Sequence, residues 1–175
     1  MTTLSCLCAW IALAVAVRPA ASQDIPKPGP EHQKLKKFEG DYDVTISIAG
    51  SETKGTDSYR MDLGGFWLRH HFKGEMFGTP FEGQGMIGYD PAKKKYVGYW
   101  ADSMNPRMYQ TEGAFSKDDT RFTETGEMPG TDGKLQKMKS VFEIKDKNGM
   151  VFTMYQVVDG KDEQMMQITY KRKKK

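Results

Sequence analysis

From residue 41 onward, apolar and polar residues alternate along the chain, as in a β-strand with one dry face and one wet face. In the stretch DYDVTISIA at 41–49, every second residue is Tyr, Val or Ile, and the residues between them are Asp, Thr or Ser. Short stretches rich in Gly, Pro, Asp and Asn interrupt this alternation about every ten residues and are typical of turns. The pattern therefore predicts about ten short strands joined by tight turns.

A meander of this length must remove its exposed strand edges by closing on itself or by folding into a sandwich. None of the predicted connections is long enough for a Greek-key crossover. We therefore predict an all-β fold, an antiparallel up-and-down barrel of about ten strands. Before the first strand, the stretch PEHQKLKKFEG has Pro30 near a helix start, Leu35 and Phe38 three residues apart, and Gly40 as the stop. It predicts one short N-terminal helix that covers an end of the barrel.

The N-terminal segment 1–22 differs from the rest of the chain and is predicted to be a cleaved signal peptide. It contains the apolar run LSCLCAWIALAVAV followed by RPAAS, whose small residues suit a signal peptidase. The run is shorter than the about 20 apolar residues that span a bilayer. Residues 23–30 then form an extended lead-in, residues 31–172 a single barrel domain, and residues 173–175 a basic tail. We expect an exported protein, periplasmic or secreted.

Cleavage at this point changes the chemistry that remains available. Cys6 and Cys8 leave with the signal peptide, so the mature chain can form no disulfide and no thiolate metal site. Without Arg18 it has 25 basic and 23 acidic residues, and five of the basic ones form the terminal KRKKK. This balance does not indicate nucleic-acid binding. The tail is either a solvated end or a weak contact for an anionic surface.

Several motifs resemble known families. FEGDYDVTISI places Gly40 and Tyr42 after a short helix, similar to the Gly-x-Trp opening of lipocalin-like proteins with Tyr in place of Trp. The closing QITYKRK offers a basic residue that would pack over this aromatic ring, as in the calycin group. From about Pro28 to Arg172, stretches such as GGFWLRHHFKG and the run GxGxxGYDxxxxxYxGxW at 83–100 look like the domain of unknown function 1579 family, found mostly in bacteria. This resemblance implies a small lipocalin-like barrel and no established activity.

The strand alternation identifies the side chains that point into the barrel. They are aromatic residues and methionines with a few polar groups, and eleven methionines remain after Met1. Unbranched thioethers adapt to guests of different shape, although they also serve as ordinary fillers of a core. The predicted ligand-binding residues are Tyr59, Met61, Leu68, His70, Phe72, Trp100, Asp102, Met138, Phe142 and Met154.

The motifs do not indicate a reaction. His70 and His71 are adjacent in a strand, so they point to opposite faces and do not chelate one ion together. We predict no metal site and no cofactor, with haem bound through His70 as the open alternative. The match GQGMIG at 83–88 to GxGxxG precedes a turn instead of a helix, and its glycines are interpreted as kinks in a curved strand. No catalytic residue is assigned.

Three functions remain compatible with these residues. The preferred one is an exported barrel that binds a small, largely apolar molecule. The alternatives are a structural or interaction barrel filled by its own side chains, and a haem-binding or enzymatic barrel that uses His70 or Asp102. The volume of the interior distinguishes them, because a ligand needs a cavity of a few hundred cubic ångströms.

Overall fold

The computed structural model describes residues 26–130 and 133–174. The predicted signal peptide, 1–22, and the first residues of the predicted lead-in lie outside the described residues, as does Lys175 of the tail. Within the described part of the chain, no helix has the length and apolar character needed to cross a membrane.

The described part of the chain forms one short helix and ten strands. Helix α1, Pro30–Leu35, continues into a 3-10 turn, Lys36–Phe38, and a second 3-10 turn, Leu63–Gly65, joins the second and third strands. The strands are β1 Gly40–Ile48, β2 Ser51–Asp62, β3 Trp67–Met76, β4 Thr79–Asp90, β5 Lys95–Asp102, β6 Asn105–Phe115, β7 Arg121–Pro129, β8 Leu135–Asp146, β9 Gly149–Val158 and β10 Lys161–Arg172.

The ten strands close into an antiparallel barrel in which each strand pairs with its neighbour in sequence. The barrel is completed where β1 pairs with β10, for example Val44 with Tyr170 and Ile46 with Ile168. Closure leaves no free sheet edge, and this removes the principal aggregation hazard of a long meander. The predicted all-β, up-and-down barrel is confirmed.

Helix α1 and its 3-10 turn cover the end of the barrel where β1 begins, which we call the helix end. Leu35 and Phe38 are fully buried there. The ring of Phe38 lies 5.5 Å from that of Phe142 and 6.0 Å from that of Phe122. The hydroxyl of Tyr96 donates a hydrogen bond to the carbonyl of Glu31 over 2.9 Å and ties the helix to β5. The opposite end, formed by the turns after β1, β3, β5, β7 and β9, is called the mouth.

A basic residue of the last strand packs over an aromatic ring of the first, as the calycin resemblance implies. The guanidinium carbon of Arg172 lies 4.8 Å from the centre of the Tyr42 ring. Arg172 also donates hydrogen bonds to the carbonyls of Glu39 and Lys147. One side chain thus fastens the start of β1, the end of β10 and the turn between β8 and β9.

Candidate functional site

A cavity of about 410 Å³ occupies the half of the barrel nearer the mouth. Its lining is mostly aromatic and methionine side chains, with a few polar groups between them. It includes Met104, which belongs to the turn between β5 and β6 and is 45% exposed, so the lining continues to the surface at the mouth. The lining consists of Ile46, Asp57, Tyr59, His70, Phe72, Met76, Phe81, Ile87, Tyr99, Trp100, Asp102, Met104, Asn105, Tyr109, Thr111, Glu124, Met128, Ser140, Phe142, Phe152, Met154, Met166, Ile168 and Tyr170.

Two glycines of β4 allow large side chains from neighbouring strands to approach the backbone of the wall closely. A Cβ atom at position 85 would lie 2.0 Å from Nε2 of His70, and one at position 83 would lie 2.1 Å from Cζ2 of Trp100. Both distances are far below a van der Waals contact. Gly83 and Gly85 therefore meet a steric requirement, because any side chain there would collide with Trp100 or His70. That these glycines are also kinks in a curved strand stays a prediction.

The next glycine of the same motif serves the outer face. A Cβ atom at position 88 would lie 2.6 Å from Cε3 of Trp67, which packs on the outside of the barrel. The spacing GxGxxG thus places two glycines inside and one outside, since 83 and 85 share a face and 88 lies on the other. In this chain the motif is explained by side-chain packing and requires no nucleotide.

His70 is held between two aromatic rings and a carboxylate. Its ring stacks on Tyr59, with centroids 4.5 Å apart and planes 5° from parallel, and lies 5.2 Å from the Trp100 ring on the other side. Its Nδ1 is 3.2 Å from Oδ2 of Asp57, a residue that is 2% exposed. Both faces and both nitrogens of the imidazole therefore have neighbours.

Asp102 fixes the turn at the mouth. Its Oδ2 accepts a hydrogen bond from Nε1 of Trp100 over 2.9 Å, and its Oδ1 accepts from the backbone amides of Met104 and Asn105, each over 2.9 Å. These bonds explain why an acidic residue shares the inner face of β5 with a tryptophan. Asp102 orients Trp100 and closes the β5–β6 turn.

A second set of polar side chains lies on the part of the cavity wall formed by β6, β7 and β8. Glu124 is buried and accepts a hydrogen bond from the hydroxyl of Thr111. Burial raises the pKa of Glu124, and the Thr111 hydroxyl and the nearby His70 offset this shift only in part. Burial likewise raises the pKa of Tyr109 to about 12, with Glu124 adding to the shift.

Three buried polar atoms of this cavity make no hydrogen bond of acceptable geometry to the described residues: Oδ1 of Asp57 and the hydroxyl oxygens of Tyr59 and Tyr109. Burial raises the pKa of Tyr59 well above its ordinary value, and the neighbouring Asp57 and Tyr170 raise it further. Unpartnered polar atoms are costly in an apolar interior. Each of them has a polar neighbour in the wall, since Tyr170 lies beside Asp57 and Tyr59, and Ser140 lies beside Tyr109.

Seven of the ten residues predicted to bind a ligand line this cavity: Tyr59, His70, Phe72, Trp100, Asp102, Phe142 and Met154. The other three, Met61, Leu68 and Met138, are absent from the lining. Leu68 is fully buried in the core, where Met61 packs against it, and Met138 is 3% exposed. All three point inward as the alternation predicts, but Met61 and Leu68 lie toward the helix end, and Met138 is buried nearer the mouth without bordering the cavity. The alternation predicts which face of the strand a side chain occupies. Its depth in the barrel depends on how the barrel closes.

Sequence reasoning overlooked the buried acids Asp57 and Glu124. A signal for both was present, because Asp57 shares its face of β2 with Tyr59, and Glu124 shares its face of β7 with Phe122. An acid on the apolar face of an alternating strand indicates a polar interior position. The acidic residue weighed earlier, Asp102, lines the mouth instead.

The described residues do not assemble a metal site, since no three His, Cys, Asp or Glu side chains of 26–130 and 133–174 come together as ligands. His71 points outward, where its Nε2 lies 2.6 Å from Oε1 of Glu82. His70 does not suit an axial haem ligand, because its faces are covered by two rings, its Nδ1 faces Asp57 and its Nε2 lies against Gly85.

The family model described as "Protein of unknown function (DUF1579)" matches residues 27–172. The chain therefore belongs to the DUF1579 family, as its motifs indicate. No curated protein matches the sequence.

Similar solved structures are also barrels. The S-type phycobiliprotein lyase CPES from Guillardia theta is 10% identical with a TM-score of 0.53, and the match covers 83% of this chain and 93% of the lyase. A de novo designed fluorescence-activating β-barrel is 14% identical with a TM-score of 0.45, over 79% of this chain and 96% of the design. The likeness to the lyase supports the calycin-like barrel and extends to the fold alone.

Proposed function

We propose that this DUF1579 barrel binds a small, largely apolar molecule in the cavity near its mouth. The observation that carries the proposal is the cavity of about 410 Å³, lined by aromatic and methionine side chains with a few polar groups among them. This volume lies within the usual range for ligand pockets, roughly 300–1,000 Å³, and so does this kind of lining.

The lining favours binding over a purely structural role. A barrel that only stabilises itself gains from filling its interior, because an empty space loses dispersion contacts on all its walls. In this protein the absence of side chains at Gly83 and Gly85 lets Trp100 and His70 lie close to the backbone of β4, which leaves space in the interior. Polar side chains of the lining, such as those of Asn105 and Glu124, supply anchors for a polar end of the ligand.

The methionines of the lining suit a guest of variable shape. Five of them line the cavity: Met76, Met104, Met128, Met154 and Met166. Unbranched thioether side chains change rotamer at low cost and repack around different apolar surfaces. We expect moderate selectivity for shape and stronger selectivity for the polar end of the ligand.

Fluorescence titration tests the proposal, because Trp100 lines the cavity and Trp67 packs on the outside. Neutral apolar probes, such as n-decanol and retinol, should change the tryptophan emission of the mature protein saturably. In the Trp100→Phe variant the emission change should disappear while calorimetry still reports binding. Loss of the signal in a Trp67→Phe variant instead would place the probe on the outer surface. If calorimetry shows no binding of any probe, the structural alternative replaces this proposal.

Export is a second part of the proposal, supported by the apolar run and the small residues of 1–22. The ligand would then be a molecule present outside the cytoplasm. N-terminal sequencing of protein expressed with its full leader should begin at or near Gln23, and a soluble protein that retains Met1 would contradict export.

A further inference from the structure

The titratable side chains that line the cavity are mostly acidic. Three carboxyl groups line the cavity, those of Asp57, Asp102 and Glu124. Among the described residues, no Lys or Arg side chain belongs to the lining, and His70 is the only lining group there that can carry a positive charge. A ligand in this cavity therefore meets a surplus of acidic groups.

The three acids differ in what their oxygens already contact. Both oxygens of Asp102 accept hydrogen bonds from Trp100 and the turn at the mouth. Asp57 is 2% exposed, its Oδ2 faces His70, and the Tyr170 hydroxyl lies beside its carboxyl group. Glu124 is held by the Thr111 hydroxyl, a neutral donor. Asp57 and Glu124 thus lack a full counter-charge.

Each strand packed around Glu124 contributes a group to its surroundings. β3 contributes His70, β5 contributes Gly98, and β6 contributes Thr111 and Tyr109. β8 contributes Ser140, which is in contact with Tyr109. Of these groups only His70 is basic, and it already lies beside Asp57. Burial without a dedicated cation favours the neutral form of Glu124 in the free protein.

The aromatic rings of the lining also favour a cation. A positive charge is attracted to the faces of Trp, Tyr and Phe rings, most strongly when both partners are removed from water. Nine such residues line the cavity together with the acids: Tyr59, Phe72, Phe81, Tyr99, Trp100, Tyr109, Phe142, Phe152 and Tyr170. A carboxylate ligand would find no cationic partner apart from His70 and would face like charges.

We propose that the cavity selects a protonated organic amine with an apolar body, whose ammonium group donates a hydrogen bond to Glu124. This inference rests on the proposed binding function and names its ligand class. The apolar body contacts the methionine and aromatic wall. The cavity volume corresponds to about fourteen water-sized groups, so the ligand is a short amphiphile.

Binding of a cation changes the ionisation of the acids that it contacts. An ammonium group beside Glu124 favours the carboxylate, so Glu124 releases a proton when the amine binds. Amine affinity therefore increases as the pH rises, until Glu124 is ionised in the free protein. The affinity of a neutral ligand has no such dependence on pH.

Three probes of equal chain length test the proposal: n-decylamine, n-decanol and n-decanoate, each below the concentration at which it aggregates. Isothermal titration calorimetry of the mature wild-type protein at about pH 8 should show the amine binding at least about tenfold more tightly than the alcohol. The carboxylate should bind most weakly. In buffers with different ionisation enthalpies, titrations repeated at lower pH, toward the ordinary Glu pKa, should show proton release with the amine and none with the alcohol.

The variant Glu124→Gln keeps the size of the side chain and removes its charge. Its amine affinity should fall to about that of the alcohol, and proton release should disappear, while alcohol affinity stays within about twofold of wild type. The matched control is Glu112→Gln, because Glu112 lies on the outer face in ion pairs with Lys93 and Lys95. This control should retain the wild-type preference.

The outcomes separate this inference from the proposed function. If the wild-type protein binds the alcohol as tightly as the amine, or the carboxylate most tightly, the amine inference is wrong and the binding function stands. If none of the three probes binds, the binding function itself fails. The ranking in the wild-type protein decides between these outcomes even if a variant does not fold.

Discussion

The helix end and the mouth of the barrel are formed by the same ten strands but are filled in different ways. At the helix end, Phe38 enters from outside the sheet and contacts the rings of Tyr59, Phe115, Phe122 and Phe142. Phe122 is fully buried in this cluster. Rigid rings, each in contact with several others, leave little free volume there.

At the mouth, this packing is replaced by methionine side chains and by rings that lie close to the backbone of β4. Met154 and Met166 are half-buried and border the cavity instead of filling it. Phe77, in the turn between β3 and β4, is 77% exposed. The comparison shows how one alternating pattern supports two tasks, since the helix end supplies stability and the mouth retains space.

The largest expected effect is a difference in the free energy of unfolding lost when a side chain is truncated at each of the two ends. Phe122→Ala should lower the free energy of unfolding by about 4 kcal/mol, because it leaves a cavity in a cluster of rigid rings. Met154→Ala should cost about 1 kcal/mol, because the residue already borders free space. Urea unfolding measures both values. Equal losses would show that the two ends are packed alike.

A second, smaller loss of stability is expected where Gly85 lies close to His70. Gly85→Ala should destabilise the protein by about 2 kcal/mol, because its Cβ collides with His70, whose position is fixed by two rings and Asp57. The same substitution in a His70→Ala background should cost much less. Thermal unfolding of the four proteins completes this double-mutant cycle. An additive result would mean that Gly85 does not support the histidine.

The third effect concerns pH and is confined to the mouth half of the barrel. Because the pKa of Glu124 is raised by folding, its contribution to stability is complete below the ordinary Glu pKa and is lost as the pH rises through the raised value. One proton gives a slope of at most about 1.4 kcal/mol per pH unit. Urea midpoints across this pH range should fall less in Glu124→Gln than in wild type.

Glu112→Gln is the control on the outer face. Lys93 and Lys95 lower the pKa of Glu112 to about 2, so its contribution is lost only as the pH falls toward that value. Above the ordinary Glu pKa this variant should follow the wild-type curve. A flatter curve in Glu112→Gln would assign the pH dependence to the surface.

Much of the fold was predictable because alternation and turns are local. The alternation around Val44 and Ile46 identified a strand with one buried face, and both side chains are buried in the barrel. The packing of Arg172 over Tyr42 was anticipated from the resemblance of the chain termini to calycins. The candidate site was predictable only in part, because alternation gives the direction of a side chain but not its depth.

The sequence by itself determined the class of fold, the order of the strands, the short helix and the face to which most side chains point. These follow from interactions between residues near each other in the chain and from the need to remove sheet edges. Only the tertiary structure decided that Leu68 belongs to the packed core while Phe72 faces a cavity. It also decided the partners of the two buried acids, His70 for Asp57 and Thr111 for Glu124. Those contacts depend on the register between strands and on the curvature that closes the barrel, quantities set by all ten strands together.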